Sequence, residues 1–229
     1  MLKPVRTSDR VDAVIATRRM LDHPFYQAWT AGTLSRDVLR DYAKQYFHHV
    51  EAFPRAVSLT HANCPYRAGR RMLAENLAEE EGLETGKTDH PELWMQFARG
   101  LGATDAEVAD VTLNPETQAL IDAFQREARA SYARGLAALY AYETQIPGVA
   151  TAKIDGCKTF YGMDDADELR FFSVHEKADV EHAAVCRQLL DQLSPEEAAE
   201  AEAGAAALSD ALLGFLDGVQ REAGVMGSC

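Results

Sequence analysis

The sequence lacks the features that mark membrane, secreted and nucleic-acid-binding proteins. Its 229 residues carry 23 basic and 36 acidic side chains, for a net charge of −13, with no Lys/Arg-rich run. Nucleic-acid binding needs a concentrated positive surface, so that class is excluded. No uninterrupted apolar stretch is long enough to cross a bilayer, and charges interrupt the N-terminal segment where a signal peptide would be apolar. We therefore expect a soluble, cytoplasmic protein without a membrane or nucleic-acid partner.

Cysteine is scarce and scattered. The four cysteines, at positions 64, 157, 186 and 229, form no Cys-x-x-Cys pair. This spacing does not indicate a structural zinc site or an iron–sulfur cluster. In a chain without an export signal, reduced thiols are the default, which agrees with a cytoplasmic location.

The chain also lacks runs of alternating β-branched residues, internal repeats and linkers. Helical spacing of apolar residues recurs instead, and 47% of the residues are hydrophobic. We therefore predict one all-α domain, a helical bundle over residues 1–229 with its core at about 10–215 and a frayed tail after Gly224. The predicted helices are Ser8 or Asp9 to Met20, Phe25 to Gly32, Ser35 onward with a break or kink at Pro54, Arg67 to Glu81, Glu92 to Arg99 after Pro91 at the first helical position, Pro115 to Gln145, Val149 to Tyr161, Asp165 to Leu193, and Ser194 onward.

The most informative pattern is His175, Asp179 and His182, at positions i, i+4 and i+7 of one predicted helix. These offsets place two imidazoles and a carboxylate on one helix face. The apolar neighbours of this stripe indicate that the face points inward, where such groups need a partner. Nitrogen and carboxylate ligands suit iron, manganese or zinc. A satisfied polar network without a metal remains the alternative.

Three ligands from one helix leave much of a coordination sphere open, and facing helices of a bundle commonly supply the other carboxylates. Glu143 and Glu80 each lie on the apolar stripe of a predicted helix, with Glu79 and Glu81 as rivals of Glu80. His90, after the following loop, could join Glu80. Three histidines and three carboxylates suit a dinuclear iron or iron/manganese centre that binds O2.

Several segments resemble the superfamily of haem-oxygenase-like helical proteins, which includes thiaminase II and pyrroloquinoline-quinone synthase enzymes. The resemblance covers about residues 10–215. It rests on HPFYQAWTAGTLSRDVLRDYAKQYFHHVEAFP (23–54), on ENLAEEEG and HPELW, and on YETQIPGVATAKIDG. The His-x3-Asp-x2-His segment resembles the non-haem dinuclear metal oxidases of this superfamily. Within them, the chain resembles the Chlamydia protein associating with death domains and its bacterial relatives, which make p-aminobenzoate.

This resemblance implies a site and an unusual reaction. Family members build p-aminobenzoate, a folate precursor, from one of their own tyrosine side chains, using O2, an external reductant and an internal lysine as amino donor; they are often homodimers. The matching tyrosine is Tyr26, the second pocket tyrosine is Tyr42, the residue before the central glutamate is Tyr142, and the lysine is Lys153. The implied ligands of two metal ions, either Fe/Fe or Fe/Mn, are Glu80, His90, Glu143, His175, Asp179 and His182.

Three other functions remain open at this point. An oxidase or oxygenase of the same fold could act on a free amino acid or fatty acid, and it would show multiple turnover. A cofactorless or thiamine-type enzyme of the superfamily would lack the six ligands. A protein-interaction module would not depend on those ligands.

Overall fold

The computed structural model describes residues 5–83, 85–222 and 224, and within these ranges the chain forms eleven α-helices, a short 3-10 turn and no β-strand. The helices are α1 (Thr7–Ala16), α2 (Pro24–Thr30), α3 (Arg36–Asn63), α4 (Arg67–Glu80), α5 (His90–Gly100), α6 (Asp105–Ala109), α7 (Pro115–Ala130), α8 (Tyr132–Glu143), α9 (Ile146–Phe160), α10 (Arg170–Leu190) and α11 (Pro195–Glu222). The all-α class is confirmed. The predicted frayed tail after Gly224 concerns residues outside the described ranges.

Helix starts follow the expected capping chemistry. The Ser35 hydroxyl accepts a hydrogen bond from the Val38 amide at 3.2 Å, which confirms Ser35 as the N-cap of α3. Ser194 and Glu197 bond each other reciprocally at the start of α11, in a capping box. These side chains satisfy amide groups that have no partner within the helix.

The predicted helix from Pro115 to Gln145 is wrong as a single element. The backbone is extended at Ser131, with φ −163° and ψ 164°, and this separates α7 from α8. The Ser131 hydroxyl then accepts a hydrogen bond from the Arg134 amide and caps α8. Serine competes for backbone hydrogen bonds, so it can end one helix and begin the next without glycine or proline.

Other helix boundaries also differ from the predictions. The first helix starts after Arg6 rather than at Ser8 or Asp9, and it ends at Ala16, with the 3-10 turn Met20–Asp22 following separately. α3 continues through Pro54 without a break.

Two further differences lie between α4 and α7. His90 occupies the first position of α5, so Pro91 is at the second, where its missing amide hydrogen costs no intrahelical bond. The short helix α6, capped by Thr104, was not predicted.

One hydrophobic core includes residues from Val11 to Val219. α11 packs against α7 and α8, and α3 packs against α4, α5 and α7. Gly204 lets α11 approach α8 closely, because a Cβ atom at this position would lie 2.5 Å from the carbonyl oxygen of Arg134 on α8. α10 packs against α4, α5, α8 and α9. The helices that carry the predicted ligands therefore meet at α10.

Among the residues that the structure describes, no helix is both long and apolar enough to cross a membrane. Cys64, Cys157 and Cys186 are buried free thiols.

Candidate metal centre

Four helices supply the six predicted ligands. Glu80 is the last residue of α4, His90 the first of α5 and Glu143 the last of α8. The other three lie on α10, one face of which is turned into the protein, as the spacing predicts. A carboxylate at a helix C-terminus faces the negative end of the helix dipole. Glu143 therefore occupies a position where a bound cation would relieve unfavourable electrostatics, whereas at Glu80 burial raises the pKa but His90 and His175 outweigh it and lower the pKa.

Glu80, His90 and His175 form the tightest part of this group. One ligand atom from each lies within 4.8 Å of the other two, and all three residues are buried. The Glu80 Oε2 atom is 2.6 Å from His90 Nδ1, and the rings of His90 and His175 have centroids 4.3 Å apart. The Nδ1 atom of His175 contacts the carbonyl oxygen of Phe171 at 2.7 Å, which leaves Nε2 available for a metal.

Glu143, Asp179 and His182 lie near this triad, but among the described residues only Glu80, His90 and His175 bring ligand atoms within 4.8 Å of one another. Asp179 lines a small cavity of about 10 Å³ together with Glu80 and His175. His182 Nδ1 lies 3.6 Å from Asp179 Oδ1. The Glu143 side chain is buried and accepts a hydrogen bond from Asn76 Nδ2 at 2.7 Å.

The two rivals of Glu80 lie elsewhere. Glu81 is exposed beyond the end of α4, and it lines a surface cavity with Arg55 and Arg129. Glu79 is half-buried, with Oε2 3.4 Å from His182 Nε2. Of the three consecutive glutamates, only Glu80 is buried beside two imidazoles.

The hydrogen bonding of these residues fits a metal site. Three of their buried atoms, His90 Nδ1, Asp179 Oδ2 and His182 Nδ1, have no hydrogen-bond partner among the described residues. His90 Nδ1 is close to Glu80, but without the geometry of a hydrogen bond. Buried polar atoms without partners are costly, and metal coordination would satisfy all three.

The electrostatics agree with a cationic occupant. Burial, and then the charge of Asp179, raise the pKa of Glu143 to about 8. Burial lowers the pKa of His182, but Asp179, Glu143 and Glu79 outweigh it and raise the value to about 9. Without a cation, the protein must therefore hold protons on groups that would release them to bind a metal.

A second cluster contains the tyrosines and the lysine that the resemblance implied. Tyr26, Tyr42 and Lys153 are all buried. The Lys153 Nζ atom donates a hydrogen bond to the Tyr42 hydroxyl at 2.5 Å and lies 5.7 Å from the centre of the Tyr26 ring. Burial lowers the pKa of Lys153 to about 7 and raises that of Tyr26 well above its ordinary value. Lys153 is thus an amine whose lone pair is available near neutral pH.

Tyr46 connects this cluster to the metal-site residues, and the sequence interpretation missed it. Its hydroxyl is 2.9 Å from the hydroxyl of Tyr142, and its ring stacks on Tyr42 with centroids 5.5 Å apart. Tyr142 lines the same small cavity as Glu80 and His175. The spacing of Tyr42 and Tyr46, four residues apart on α3, was the available signal.

Asn76 and Cys186 were also missed as neighbours of a predicted ligand. Asn76 bonds Glu143 Oε1, and the Cys186 sulfur lies 3.5 Å from Glu143 Oε2. Both contacts orient the carboxylate. Asn76 lies four residues before Glu80 on α4, and Cys186 four residues after His182 on α10, so helical spacing could have indicated them.

Adding Fe²⁺ or Mn²⁺ without oxygen is expected to stabilise the protein, because the metal binds only the folded site. At a hundredfold excess over Kd the gain is roughly 2.7 kcal/mol, or roughly 5–10 °C in Tm for a chain of this size. His175→Ala is expected to lose most of this shift, and His61→Ala, on α3, to retain it. Thermal unfolding with metal analysis measures both effects. Equal shifts in the two variants would contradict the assignment.

Comparison with known proteins places the chain in a family. A model of a family described as iron-containing redox enzymes matches residues 40–213. The 4-aminobenzoate synthase of Nitrosomonas europaea is 41% identical over 222 residues, covering 92% of this chain and 89% of that protein. The 4-aminobenzoate synthase of Chlamydia trachomatis serovar D is 36% identical over 210 residues, covering 91% of this chain and 90% of that protein.

The fold also matches a solved structure. A CADD-like protein of unknown function from Nostoc punctiforme superposes with a TM-score of 0.79 at 22% identity, covering 95% of this chain and 96% of that one. At that identity the likeness shows the fold alone, whereas the family match and the curated relatives extend along most of the sequence. The chain therefore belongs to the haem-oxygenase-like family of iron-containing redox enzymes.

Proposed function

We propose that this protein makes 4-aminobenzoate from the side chain of its own Tyr26, in a reaction that depends on bound metal, O2 and an external electron donor, with Lys153 as the nitrogen donor. The observation that carries the proposal is the position of Lys153. Its Nζ atom lies among buried tyrosine rings, 4.8 Å from the centre of Tyr42 and 5.7 Å from that of Tyr26. The names of the relatives support the product.

The product matches the atoms that Tyr26 and Lys153 offer. The tyrosine ring with its Cβ has the carbon skeleton of a benzoate: the Cα–Cβ bond must break, Cβ must be oxidised to the carboxyl group with O2 as the oxidant, and the Lys153 nitrogen must replace the phenolic oxygen, which leaves as water. The Tyr26 hydroxyl is buried and makes no hydrogen bond within the described residues. The Tyr42 hydroxyl, to which Lys153 donates, also interacts with this phenol, and burial, partly offset by Tyr42, keeps the phenol protonated by raising its pKa.

Lys153 has the environment of a nucleophile rather than of a structural cation. No carboxylate lies within ion-pair distance of it in the described part of the chain, and aromatic rings surround it. The Lys153 Nζ atom donates a hydrogen bond to the Tyr42 hydroxyl, so Tyr42 orients the amine and can exchange a proton with it. Burial lowers the pKa of Lys153 because the apolar surroundings disfavour the charged form.

Tyr142 and Tyr46 provide a continuous path from the metal-site residues to Tyr42. Their hydroxyls lie in hydrogen-bond contact, and Tyr46 stacks on Tyr42. Phenols are the side chains best suited to pass an electron and a proton together. We propose that this row of tyrosines passes electrons from Tyr26 toward the centre, with a proton shared between the hydroxyls of Tyr46 and Tyr142 and the Tyr42 and Tyr46 rings linked by stacking.

The metal ions would be held by three histidines and three carboxylates, and when bound they would supply O2 activation and electron removal. The residues proposed to hold them are Glu80, His90, Glu143, His175, Asp179 and His182. The cavity that Glu80, His175 and Tyr142 share measures about 10 Å³, room for about one water-sized molecule. That space suits O2.

Isotope labelling tests the proposed function. Protein produced with ring-labelled tyrosine and ¹⁵N-lysine is loaded with iron, or with iron and manganese, reduced, and exposed to O2 in unlabelled buffer. The 4-aminobenzoate is expected to carry both labels, with a yield of at most one molecule per chain. Repeated turnover of added unlabelled tyrosine would contradict the proposal and favour an oxygenase acting on a free substrate.

A further inference from the structure

The candidate metal centre is buried, and one side chain marks where it approaches the surface. The His182 side chain is 13% exposed, whereas those of Glu80, His90 and Asp179 are 5% exposed or less. His182 also lines a surface cavity of about 150 Å³ between α4 and α10, here called the α4–α10 cavity, with Glu75, Asn76, Glu79, Glu181 and Cys186. This cavity therefore leads from solvent to the predicted ligands.

The walls of the α4–α10 cavity differ from its floor. Glu75, Glu79 and Glu181 contribute three carboxylates to the lining, without a basic side chain besides His182 among the lining residues. Deeper in, Asn76 and Cys186 line the cavity, and both contact the Glu143 carboxylate. The floor therefore connects directly to a predicted ligand.

An unpartnered polar atom lies at this floor. Asn76 is 4% exposed, and its amide nitrogen is bonded to Glu143, whereas its Oδ1 atom is buried without a partner among the described residues. An amide oxygen of this kind can bind a hydrated or partly hydrated cation. The acidic lining and the free acceptor are independent observations, and both indicate a cationic ligand.

A second surface cavity reaches the centre from the His90 side, and its charge is different. It measures about 210 Å³ and is lined by Lys87 and Arg170 as well as by Glu79 and His90. Glu79 is the one carboxylate among the lining residues of this second cavity, whereas three carboxylates line the α4–α10 cavity, and carboxylates lower the energy of an approaching cation. Of the two openings, the α4–α10 cavity has the more favourable potential for metal entry.

We propose that divalent metal ions reach the centre through the α4–α10 cavity, and that Glu79 binds them first and passes them to His182. Glu79 Oε2 lies 3.4 Å from His182 Nε2, so a cation held by this carboxylate is already beside the imidazole. Glu79 is then a positioning residue outside the final ligand set. The inference rests on the proposed metal-dependent function, which it deepens.

Metal uptake by the metal-free protein tests this route. Mn²⁺ is mixed with protein in the absence of O2, the reaction is stopped with chelator at set times, and bound metal is measured. Glu79→Gln is expected to slow uptake about threefold and the triple variant Glu75→Gln/Glu79→Gln/Glu181→Gln about tenfold at low salt, because the attraction is lost. The difference is expected to shrink at high salt, and the amount bound at equilibrium to stay unchanged.

Glu51→Gln is the matched control, since it removes one exposed negative charge on α3 outside the cavity. Its uptake rate is expected to equal that of the wild type. If the triple variant takes up Mn²⁺ at the wild-type rate, the entry route is wrong while the proposed function stands. A wild-type protein that retains neither Mn²⁺ nor, in the same oxygen-free assay, Fe²⁺ would overturn the proposed function and this inference together.

Discussion

Replacing Tyr26 with phenylalanine is expected to reduce the 4-aminobenzoate yield to the background of the assay while leaving the fold intact. The phenylalanine ring keeps the packing of Tyr26 against Phe25 and Trp29. Because the Tyr26 hydroxyl makes no hydrogen bond, its removal breaks no internal bond and changes the free energy of unfolding little. What is lost is the phenolic oxygen, on which both oxidation and exchange for nitrogen depend. The metal-loaded, reduced variant is assayed for product after exposure to O2.

Tyr161→Phe is the matched control for this experiment. Tyr161 also packs against Trp29, and its hydroxyl donates a hydrogen bond to the Trp29 carbonyl oxygen at 3.1 Å. Within the described residues, no hydrogen bond or ring contact joins Tyr161 to Lys153 or to the candidate ligands. The 4-aminobenzoate yield of Tyr161→Phe should therefore match that of the wild type. An unchanged yield in Tyr26→Phe would refute the sacrificial role of this residue.

Replacing Lys153 with methionine is expected to abolish the ¹⁵N-labelled product. In the metal-free protein at pH 7 and below, the same change is expected to raise the free energy of unfolding by roughly 3–5 kcal/mol. Burial lowers the Lys153 pKa from 10.5 to about 7, so below about pH 7 the folded wild type holds a buried charge that the unfolded chain exposes to water. Each unit of such a shift corresponds to about 1.4 kcal/mol, and loss of the hydrogen bond to Tyr42 offsets about 1 kcal/mol.

The increase in the free energy of unfolding in Lys153→Met should become smaller as the pH rises. Between about pH 7 and 10.5 the unfolded state binds a proton on Lys153 that the folded state does not, so the wild type becomes more stable as the pH rises. The advantage of Lys153→Met should therefore shrink across this window. Denaturant unfolding at several pH values measures it, with the exposed lysine of the same helix replaced in Lys158→Met as control. An advantage that is constant with pH would contradict the assignment.

The helical pattern of α10 shows how far the sequence could predict the site. The i, i+4, i+7 spacing correctly predicted an inward face for His175 and Asp179, because the period of a helix determines which side chains align, whereas His182 lies at the edge of that face and is partly exposed. The position of Glu80 beside His90 could not be derived this way. It depends on the end of α4 and the start of α5, which are separated by a loop whose path the sequence pattern does not determine.

Tyr46 was missed because it looks like an ordinary core residue. Tyr46 lies on an apolar stripe of α3, where aromatic side chains usually only pack, and its contact with Tyr142 depends on how α8 lies against α3. Ser131 was missed for a different reason. No glycine or proline marks the end of α7, and a serine is compatible with both a continued helix and the N-cap that it forms here for α8.

The complete burial of Tyr26 has a consequence for the lifetime of each molecule. If the ring leaves, a void the size of a phenol remains at the centre of the aromatic core, beside Trp29. Truncating a buried aromatic side chain costs about 3–5 kcal/mol, a large share of the stability of a typical domain. A spent chain would therefore differ from a fresh one in resistance to unfolding and to proteases, so the cell could distinguish and degrade used copies without a separate signal.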